Sequence, residues 1–251
     1  EQYATAQHVR VQHDMAQVRS ALEGNLNSNI QLVRGMLGVV ALDPDLNQAR
    51  FSLAARPLFD EGSQLRNIAV APELVIRMVY PVAGNEQAIN LDYRNVPAQL
   101  PAVELARDSR RIVLAGPVNL VQGGVGLAAR LPVYLHDRNG LEYFWGVISA
   151  VIDAEKLFVA SGLRDANLPI EIAIRGKDGK GSAGEVFFGR PALFDSSPEL
   201  SDIHLPSGSW QLAAMPRGGW GGAPENRWML RLGMAVVALL VLGAFFALWR
   251  S

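Results

Sequence analysis

Residues 112–153, IVLAGPVNLVQGGVGLAARLPVYLHDRNGLEYFWGVISAVID, are the stretch of the chain that decides its fold. Its apolar runs at 112–120, 126–135 and 143–153 are rich in β-branched and aromatic residues, a composition typical of strands. Two glycines, Gly123 and Gly124, suit a turn between the first two runs. The stretch therefore predicts the strands of an α+β unit.

Upstream of this stretch the sequence predicts the rest of the same unit. LVIRMVYPV (74–82) has strand-like composition, and residues 51–66 look like a short helix leading to Ile68. VPAQLPAVELARDSRR (96–111) predicts a helix with Asn95 as its N-cap and prolines in its first turns.

A long helix is predicted at the N-terminus, over residues 1 to about 45. Apolar side chains recur there at intervals of three and four, and Asp43-Pro44 ends the pattern because the residue before proline avoids the helical region. The apolar positions are Val11, Met15, Val18, Leu22, Leu26, Ile30, Val33, Leu37 and Val40. This face either packs on its own domain or forms a heptad-like seam with a second copy, and both can hold.

A second, smaller unit is predicted downstream. AEKLFVASGL (154–163) predicts a short helix, and IEIAIRG (170–176), GEVFFG (184–189) and SGSWQLAAM (207–215) predict strands. Asp178-Gly179 is a good turn signal between the first two of these strands.

The C-terminal run LGMAVVALLVLGAFFALW (232–249) carries no charge. At about 1.5 Å per residue it is just long enough to span a ~30 Å hydrocarbon layer, and Trp228 and Trp249 stand where interfacial aromatic residues are expected. The sequence therefore predicts a transmembrane helix, and hence the lipid bilayer as a partner.

Composition excludes several function classes. The net charge of -1 and pI of about 6.5 give no electrostatic footprint for nucleic acid, and the absence of cysteine excludes disulfides and thiolate chemistry. The four histidines lack metal-ligand spacing, and neither a GxSxG motif nor a complete phosphate loop is present. Glu86 and Asp92 could serve a hydrolase as paired carboxylates, but nothing else in the sequence indicates catalysis, and no cofactor is expected.

Three segments of the chain resemble the CHASE domain, a sensory module associated with cyclases and histidine kinases. They are ELVIRMVYPVAGNEQAINLDYR (73–94), LARDSRRIVLAGPVNLVQGGVGLAARLPVY (105–134) and YFWGVISAVID (143–153). The resemblance implies a long stalk helix carrying two PAS-like α/β units, with the ligand in the membrane-distal one. It also implies a further transmembrane helix before the N-terminus, and a cytoplasmic output module such as a diguanylate cyclase, a phosphodiesterase or a histidine kinase.

Together these patterns predict a division of the chain and a function. Residues 1–66 are expected to form the stalk helix and a helical connection, 67–153 the membrane-distal unit, 154–226 the membrane-proximal unit and 227–251 the transmembrane helix. The expected function is extracytoplasmic ligand sensing, with residues 1 to about 228 in the periplasm of an inner-membrane receptor that forms a homodimer through the stalk helix. The alternative is a membrane-tethered interaction module without a small-molecule ligand.

The polar segment YPVAGNEQAINLDYRN (80–95) supplies most of the candidate ligand-binding residues. Asn85 and Glu86 offer acceptors to an amine or heterocycle, and Tyr93 could stack on a ligand. Asp92 and Arg94 are expected to hold the segment together. The resemblance adds residues of the strand around Ala115 to the candidate ligand-binding residues. Plant cytokinin receptors carry a threonine at the position of Ala115. The full predicted set is Tyr80, Asn85, Glu86, Asp92, Tyr93, Ala115, Gly116 and Arg130.

Overall fold

The computed structural model describes residues 2–43, 45–60, 62–120 and 123–221. Its α-helices are α1 (Gln2–Leu42), α2 (Gln48–Ala55), α3 (Leu100–Ser109) and α4 (Ala154–Ala160). Its strands are β1 (Leu65–Pro72), β2 (Met78–Tyr80), β3 (Val113–Asn119), β4 (Val125–His136), β5 (Glu142–Asp153), β6 (Ile170–Arg175), β7 (Val186–Phe188), β8 (Glu199–His204) and β9 (Ser209–Pro216).

The first sheet has the strand order β2-β1-β5-β4-β3, with every neighbouring pair antiparallel. Its centre is the long β4–β5 pair, in which Arg130 lies opposite Ser149. The strands predicted from residues 112–153 are confirmed as β3, β4 and β5. We call this sheet, with the segment that covers it, the first unit.

The second sheet has the order β7-β6-β9-β8, and it is also antiparallel. The predicted β6, β7 and β9 and the short helix α4 are confirmed. Strand β8 was missed, because ELSDIH contains only two apolar residues, three positions apart, and so lacks the period-two pattern of a half-buried strand. We call this sheet and its loops the second unit.

Helix α1 packs along both units, and the predicted long helix is confirmed. Its apolar face is buried: Leu22 and Val40 are fully covered and Leu26 is 2% exposed. These side chains share one core with Ile148 and Trp210, which belong to the first and second sheets respectively. The face proposed as a seam with a second copy is therefore occupied by the chain's own sheets.

The opposite face of the first sheet is covered by residues 73–109, which we call the covering segment. A second apolar cluster lies between this segment and the sheet. It contains Ala69, Ala71, Leu74, Ile76, Val79, Tyr93, Val103 and Val147. The first unit is thus a sheet between α1 on one face and the covering segment on the other.

Three local predictions upstream of residue 112 were wrong in their boundaries. The helix predicted over residues 51–66 is α-helical only in α2, 48–55, and residues 65–72 form strand β1, which was not predicted. The strand predicted at 74–82 is confined to 78–80, because Glu73 and Leu74 adopt positive φ and turn the chain back. Helix α3 begins at Leu100 with Gln99 as N-cap, not at Asn95. Pro97 contributes to the later start, because the residue before proline avoids helical φ and ψ, and Val96 has a φ of -122° and a ψ of 84°.

The predicted transmembrane helix at 227–251 lies outside the described residues. Within the ranges that the structure covers, no helix combines the length and the apolar character needed to cross a bilayer.

Candidate functional site

Arg130 projects from the middle of the first sheet toward the covering segment. Side chains alternate along a strand, so its neighbours Ala129 and Leu131 face the core shared with α1. Arg130 instead shares the covered face with Ser149 on the adjacent strand. A long cationic side chain is thereby placed beside a mainly apolar cluster.

Three neutral groups surround this guanidinium. Its Nη1 donates to the Tyr93 hydroxyl at 3.0 Å and its Nη2 donates to Gln99 Oε1 at 2.5 Å. Its Cζ lies 4.9 Å from the centroid of the Tyr93 ring, within cation–π range. The Tyr93 hydroxyl also lies 2.9 Å from Ser149 Oγ. We call Tyr93, Gln99, Arg130 and Ser149 the Arg130 site.

The charge of Arg130 is not neutralised by a side chain in the described part of the protein. Arg130 is only 5% exposed, and its Nε is buried without a hydrogen-bond acceptor there. No carboxylate of the described residues forms an ion pair with it. A buried charge without a counter-charge is costly, so this arrangement favours an anionic group beside Nε.

Asn85 anchors the covering segment to the same face of the sheet. Its Nδ2 donates to the Pro81 carbonyl at 3.0 Å, and its Oδ1 accepts from Asn67 Nδ2 at 2.9 Å. Asn67 projects from β1 on the same face as Ala69, which belongs to the covered cluster. The Asn67–Asn85 pair is thus a second polar element on the covered face.

The two predicted carboxylates, Glu86 and Asp92, differ in their roles. Asp92 caps the turn at Tyr93–Asn95 by accepting from the Arg94 backbone N–H at 2.9 Å, and it also pairs with the Arg94 guanidinium. The side-chain hydrogen bonds from Arg94 are the main cause that lowers the pKa of Asp92 below its ordinary value. Glu86 begins a short helical turn and is exposed. Asp92 is therefore a local organiser, as the sequence suggested, and Glu86 lies at the surface.

The remaining predicted residues lie around the sheet rather than at one point. Tyr80 pairs with Ile68 and packs edge-to-face on Phe59 at 5.1 Å, on the α1 side of the sheet. Ala115 lies opposite Ala128 on β4, two positions from Arg130 and on the same face.

Gly116 connects the two units. Its backbone N–H donates to Asp178 Oδ1 of the second unit at 2.7 Å. Its φ of +104° and a Cβ position only 3.0 Å from the Gly126 carbonyl oxygen both require glycine. Gly116 is thus a contact point between the units.

The structure brings Tyr93 and Arg130 together, with Asn85 and Ala115 on the same covered face. Sequence reasoning missed Ser149, Asn67 and Gln99. Two of these carry a signal, because Ser149 is the polar residue within the apolar run WGVISAVI and Asn67 interrupts the start of β1. Gln99 has no such signal.

The described residues contain no group of three or more His, Cys, Asp or Glu that could hold a metal ion.

Solved structures of sensory domains share this fold. An extracellular ligand-binding receptor from Desulfohalobium retbaense DSM5692 matches with a TM-score of 0.62 and 17% identity, over 82% of this chain and 40% of that one. The present chain therefore spans well under half the length of that receptor. The ligand-binding domain of the Pseudomonas aeruginosa PAO1 amino acid chemoreceptor PctC, in complex with GABA, matches with a TM-score of 0.56 and 15% identity, over 78% of this chain and 93% of that one.

A third similar structure is the extracellular domain of the putative histidine kinase vpHK1S-Z8. It has a TM-score of 0.50 and 12% identity, over 89% of this chain and 96% of that one. At these identities the similarity establishes the fold, a mixed α+β architecture with a long N-terminal helix and two antiparallel sheets. No curated protein matches the chain by sequence.

The family assignment comes from the sequence itself. Residues 27–188, more than half of the chain, match the model of the CHASE domain. The match runs from the middle of α1 through the first unit to the end of β7, so it includes every residue of the Arg130 site. The chain belongs to the CHASE domain family.

Proposed function

We propose that this chain is the ligand-sensing domain of a membrane receptor and that its first unit binds a small carboxylate-bearing molecule beneath the covering segment. One observation carries the proposal: Arg130 is buried, contacts only neutral side chains and has an Nε without an acceptor among the described residues. A ligand carboxylate beside Nε would supply the missing counter-charge and acceptor in one group.

The surroundings of Arg130 fit a small amphipathic ligand. The planar guanidinium matches a carboxylate in two hydrogen bonds, and the Tyr93 ring holds the guanidinium in one orientation. Small apolar side chains, Ala69 and Ala115, lie on the same covered face as Arg130 and would contact the methylene groups of a ligand. GABA, which is bound in the PctC domain structure, is a small carboxylate of this kind. Asn85 and Glu86 remain the candidates for contact with an amine at the other end.

The signalling architecture is part of the same proposal. Residues 67–153 are the membrane-distal unit, 154–226 the membrane-proximal unit and 227–251 a transmembrane helix, with residues 1 to about 228 in the periplasm. A cytoplasmic diguanylate cyclase, phosphodiesterase or histidine kinase follows. Helix α1 supports this scheme because it packs along both sheets, and a shift in the first unit can therefore reach the second.

A homodimer completes the proposed receptor, with the exposed face of α1 as its contact. The apolar face of α1 is occupied by its own sheets, so the earlier seam positions such as Leu26 are excluded from that contact. Gly24, Ser28 and Gly35 lie on the exposed side, and a Cβ built at either glycine meets no atom within 4 Å.

Isothermal titration of the 1–251 chain with a panel of L-amino acids and short ω-amino acids tests the ligand. We expect at least one of them to bind, and Arg130→Gln to weaken that binding by roughly 2–5 kcal/mol, the cost of truncating a buried charge pair. Arg138→Gln, an exposed arginine on the β4–β5 turn, is the matched control and leaves affinity unchanged. Equal affinity in wild type and a folded Arg130→Gln variant would contradict the proposal, as would the absence of any binding amino acid.

A further inference from the structure

A cleft opens where α1, β4, the residues just before β3 and the second unit meet. Its volume is about 390 Å³. Three arginines line it, Arg34 from α1 and Arg110 and Arg111 from the end of α3, with Leu37, Ile112 and Leu131 among its apolar residues. Leu131 follows Arg130 on β4 and faces away from it, and the cleft shares no lining residue with the Arg130 site.

Two of the three guanidiniums are held by other groups of the protein. Arg110 pairs with Glu142 at 2.7 Å and lies 4.3 Å from the centroid of the Tyr134 ring. Arg111 donates from Nη2 to the Pro206 carbonyl of the second unit at 2.6 Å. Because that carbonyl is neutral, it positions the Arg111 charge without cancelling it.

The cleft carries an excess of positive charge. Among the described residues, Glu142 is the one carboxylate paired with any of the three arginines, and neither Arg34 nor Arg111 forms an ion pair. Like charges facing one cavity repel each other, and an anion between them relieves that repulsion. The geometry of a guanidinium group suits carboxylates and phosphates equally well. The apolar residues of the cleft therefore determine which of these two ligand classes the cleft favours.

We propose that this cleft binds a small dicarboxylate with a hydrocarbon spacer, as a second ligand site separate from the Arg130 site. One carboxylate pairs with Arg111 and the other with Arg34, while the spacer lies on Leu37, Ile112 and Leu131. A phosphate ion would leave that apolar surface uncovered. Since the Pro206 carbonyl holds Arg111, the bound dicarboxylate ties α1, the first unit and the second unit together.

Titration of the 1–251 chain with adipate, inorganic phosphate and acetate tests the site. We expect adipate to bind at least ten-fold more tightly than acetate or phosphate and to raise the melting temperature by linkage. Arg34→Gln and Arg111→Gln each reduce adipate affinity at least ten-fold, because each removes one counter-charge. Arg138→Gln, an exposed arginine remote from the cleft, retains wild-type affinity.

The Arg130→Gln variant distinguishes adipate binding in this cleft from ligand binding at the Arg130 site, because it removes the charge of the Arg130 site and leaves the cleft unchanged. Adipate binding that persists in Arg130→Gln and is lost in Arg34→Gln and Arg111→Gln supports the second site. Binding lost in Arg130→Gln but kept in both other variants overturns it, and so does phosphate binding more tightly than adipate. Circular dichroism of each variant verifies that lost binding does not reflect unfolding.

Discussion

The hydroxyl groups of Tyr93 and Ser149 lie 2.9 Å apart beneath the covering segment, and Arg130 donates to the same Tyr93 oxygen at 3.0 Å. Tyr93 is only 1% exposed, so all three groups meet away from water. Through this contact a residue of the covering segment is tied to two central strands of the first sheet. The position of the covering segment and the orientation of the Arg130 charge are therefore set by one tyrosine.

Tyr93→Phe should destabilise the protein although it preserves the ring. The substitution removes one oxygen and leaves both Ser149 Oγ and Arg130 Nη1 without that partner, which costs about 1–3 kcal/mol for each buried group left unsatisfied. Urea unfolding measures the change in the free energy of unfolding. Tyr143→Phe, at an exposed position on β5, is the control and should change that free energy by less than about 0.5 kcal/mol. Equal stability of the two variants would mean that the shared hydroxyl contributes nothing.

Asp178 should protect the Gly116 amide from hydrogen exchange, because its Oδ1 accepts from that N–H at 2.7 Å. Asp178 has a φ of +60°, a conformation that glycine and asparagine tolerate. We therefore expect Asp178→Gly to speed exchange at Gly116, since it removes the acceptor without adding backbone strain. Asp178→Asn keeps an acceptor oxygen and should preserve most of the protection.

Hydrogen exchange resolved at the Gly116 amide gives the comparison. Exchange at Ala129, in the middle of the first sheet, serves as an internal reference that neither variant should alter. The same rate at Gly116 in wild type and Asp178→Gly would show that the contact between the units does not persist in solution.

The sequence predicts the fold well where its patterns are strong and poorly where local backbone geometry decides. The period of apolar residues in α1 and the β-rich runs of β3, β4 and β5 place those elements correctly, because each has a long face to bury. It does not predict the turn at Glu73 and Leu74, since neither residue type favours positive φ. The same holds for the candidate site. Tyr93 and Arg130 were both predicted as site residues, but the contact between them depends on the β4–β5 register. It also depends on Gln99, which no sequence pattern indicates.

Acid should weaken the contact between α1 and the second unit through Glu199. Hydrogen bonding from Gln12 is the largest cause that lowers the pKa of this carboxyl, burial opposes it, and the contact with His8 at 2.5 Å lowers the pKa further. A pKa that is lower in the folded state means that the ionised carboxylate stabilises the fold above the unfolded pKa of about 4.3. That contribution is lost as the pH falls through the folded pKa.

Glu199→Gln tests this pH dependence. We expect wild type to be more stable than the variant at pH 7, and the difference to shrink as the pH falls from the unfolded pKa of about 4.3 through the lower folded pKa, because the wild-type carboxyl then also becomes neutral. Urea unfolding at pH 7 and pH 3.5 gives both differences. Glu86→Gln, at an exposed position, controls for the loss of a surface carboxylate. A Glu199→Gln difference that is unchanged at pH 3.5 would contradict the assignment.

Cysteine crosslinking distinguishes the two faces of α1 as the contact of the proposed dimer. The chain contains no cysteine, so each introduced thiol is unique. Ser28 lies on the exposed side with Gly24 one turn before it, whereas Leu26 is 2% exposed in the intramolecular core. A disulfide requires Cα atoms within about 7 Å of each other, a distance that two helices reach where small residues let their backbones approach.

We expect Ser28→Cys to give a crosslinked dimer under mild oxidation of the receptor in membranes, and Leu26→Cys to give none because its side chain points into the protein's own core. Arg138→Cys, exposed on the β4–β5 turn away from α1, reports the background from random collisions. Crosslinking of Ser28→Cys no faster than that of Arg138→Cys would exclude this face of α1 from the dimer. Efficient crosslinking through Leu26→Cys would show instead that α1 leaves its own sheets to pair with a second copy.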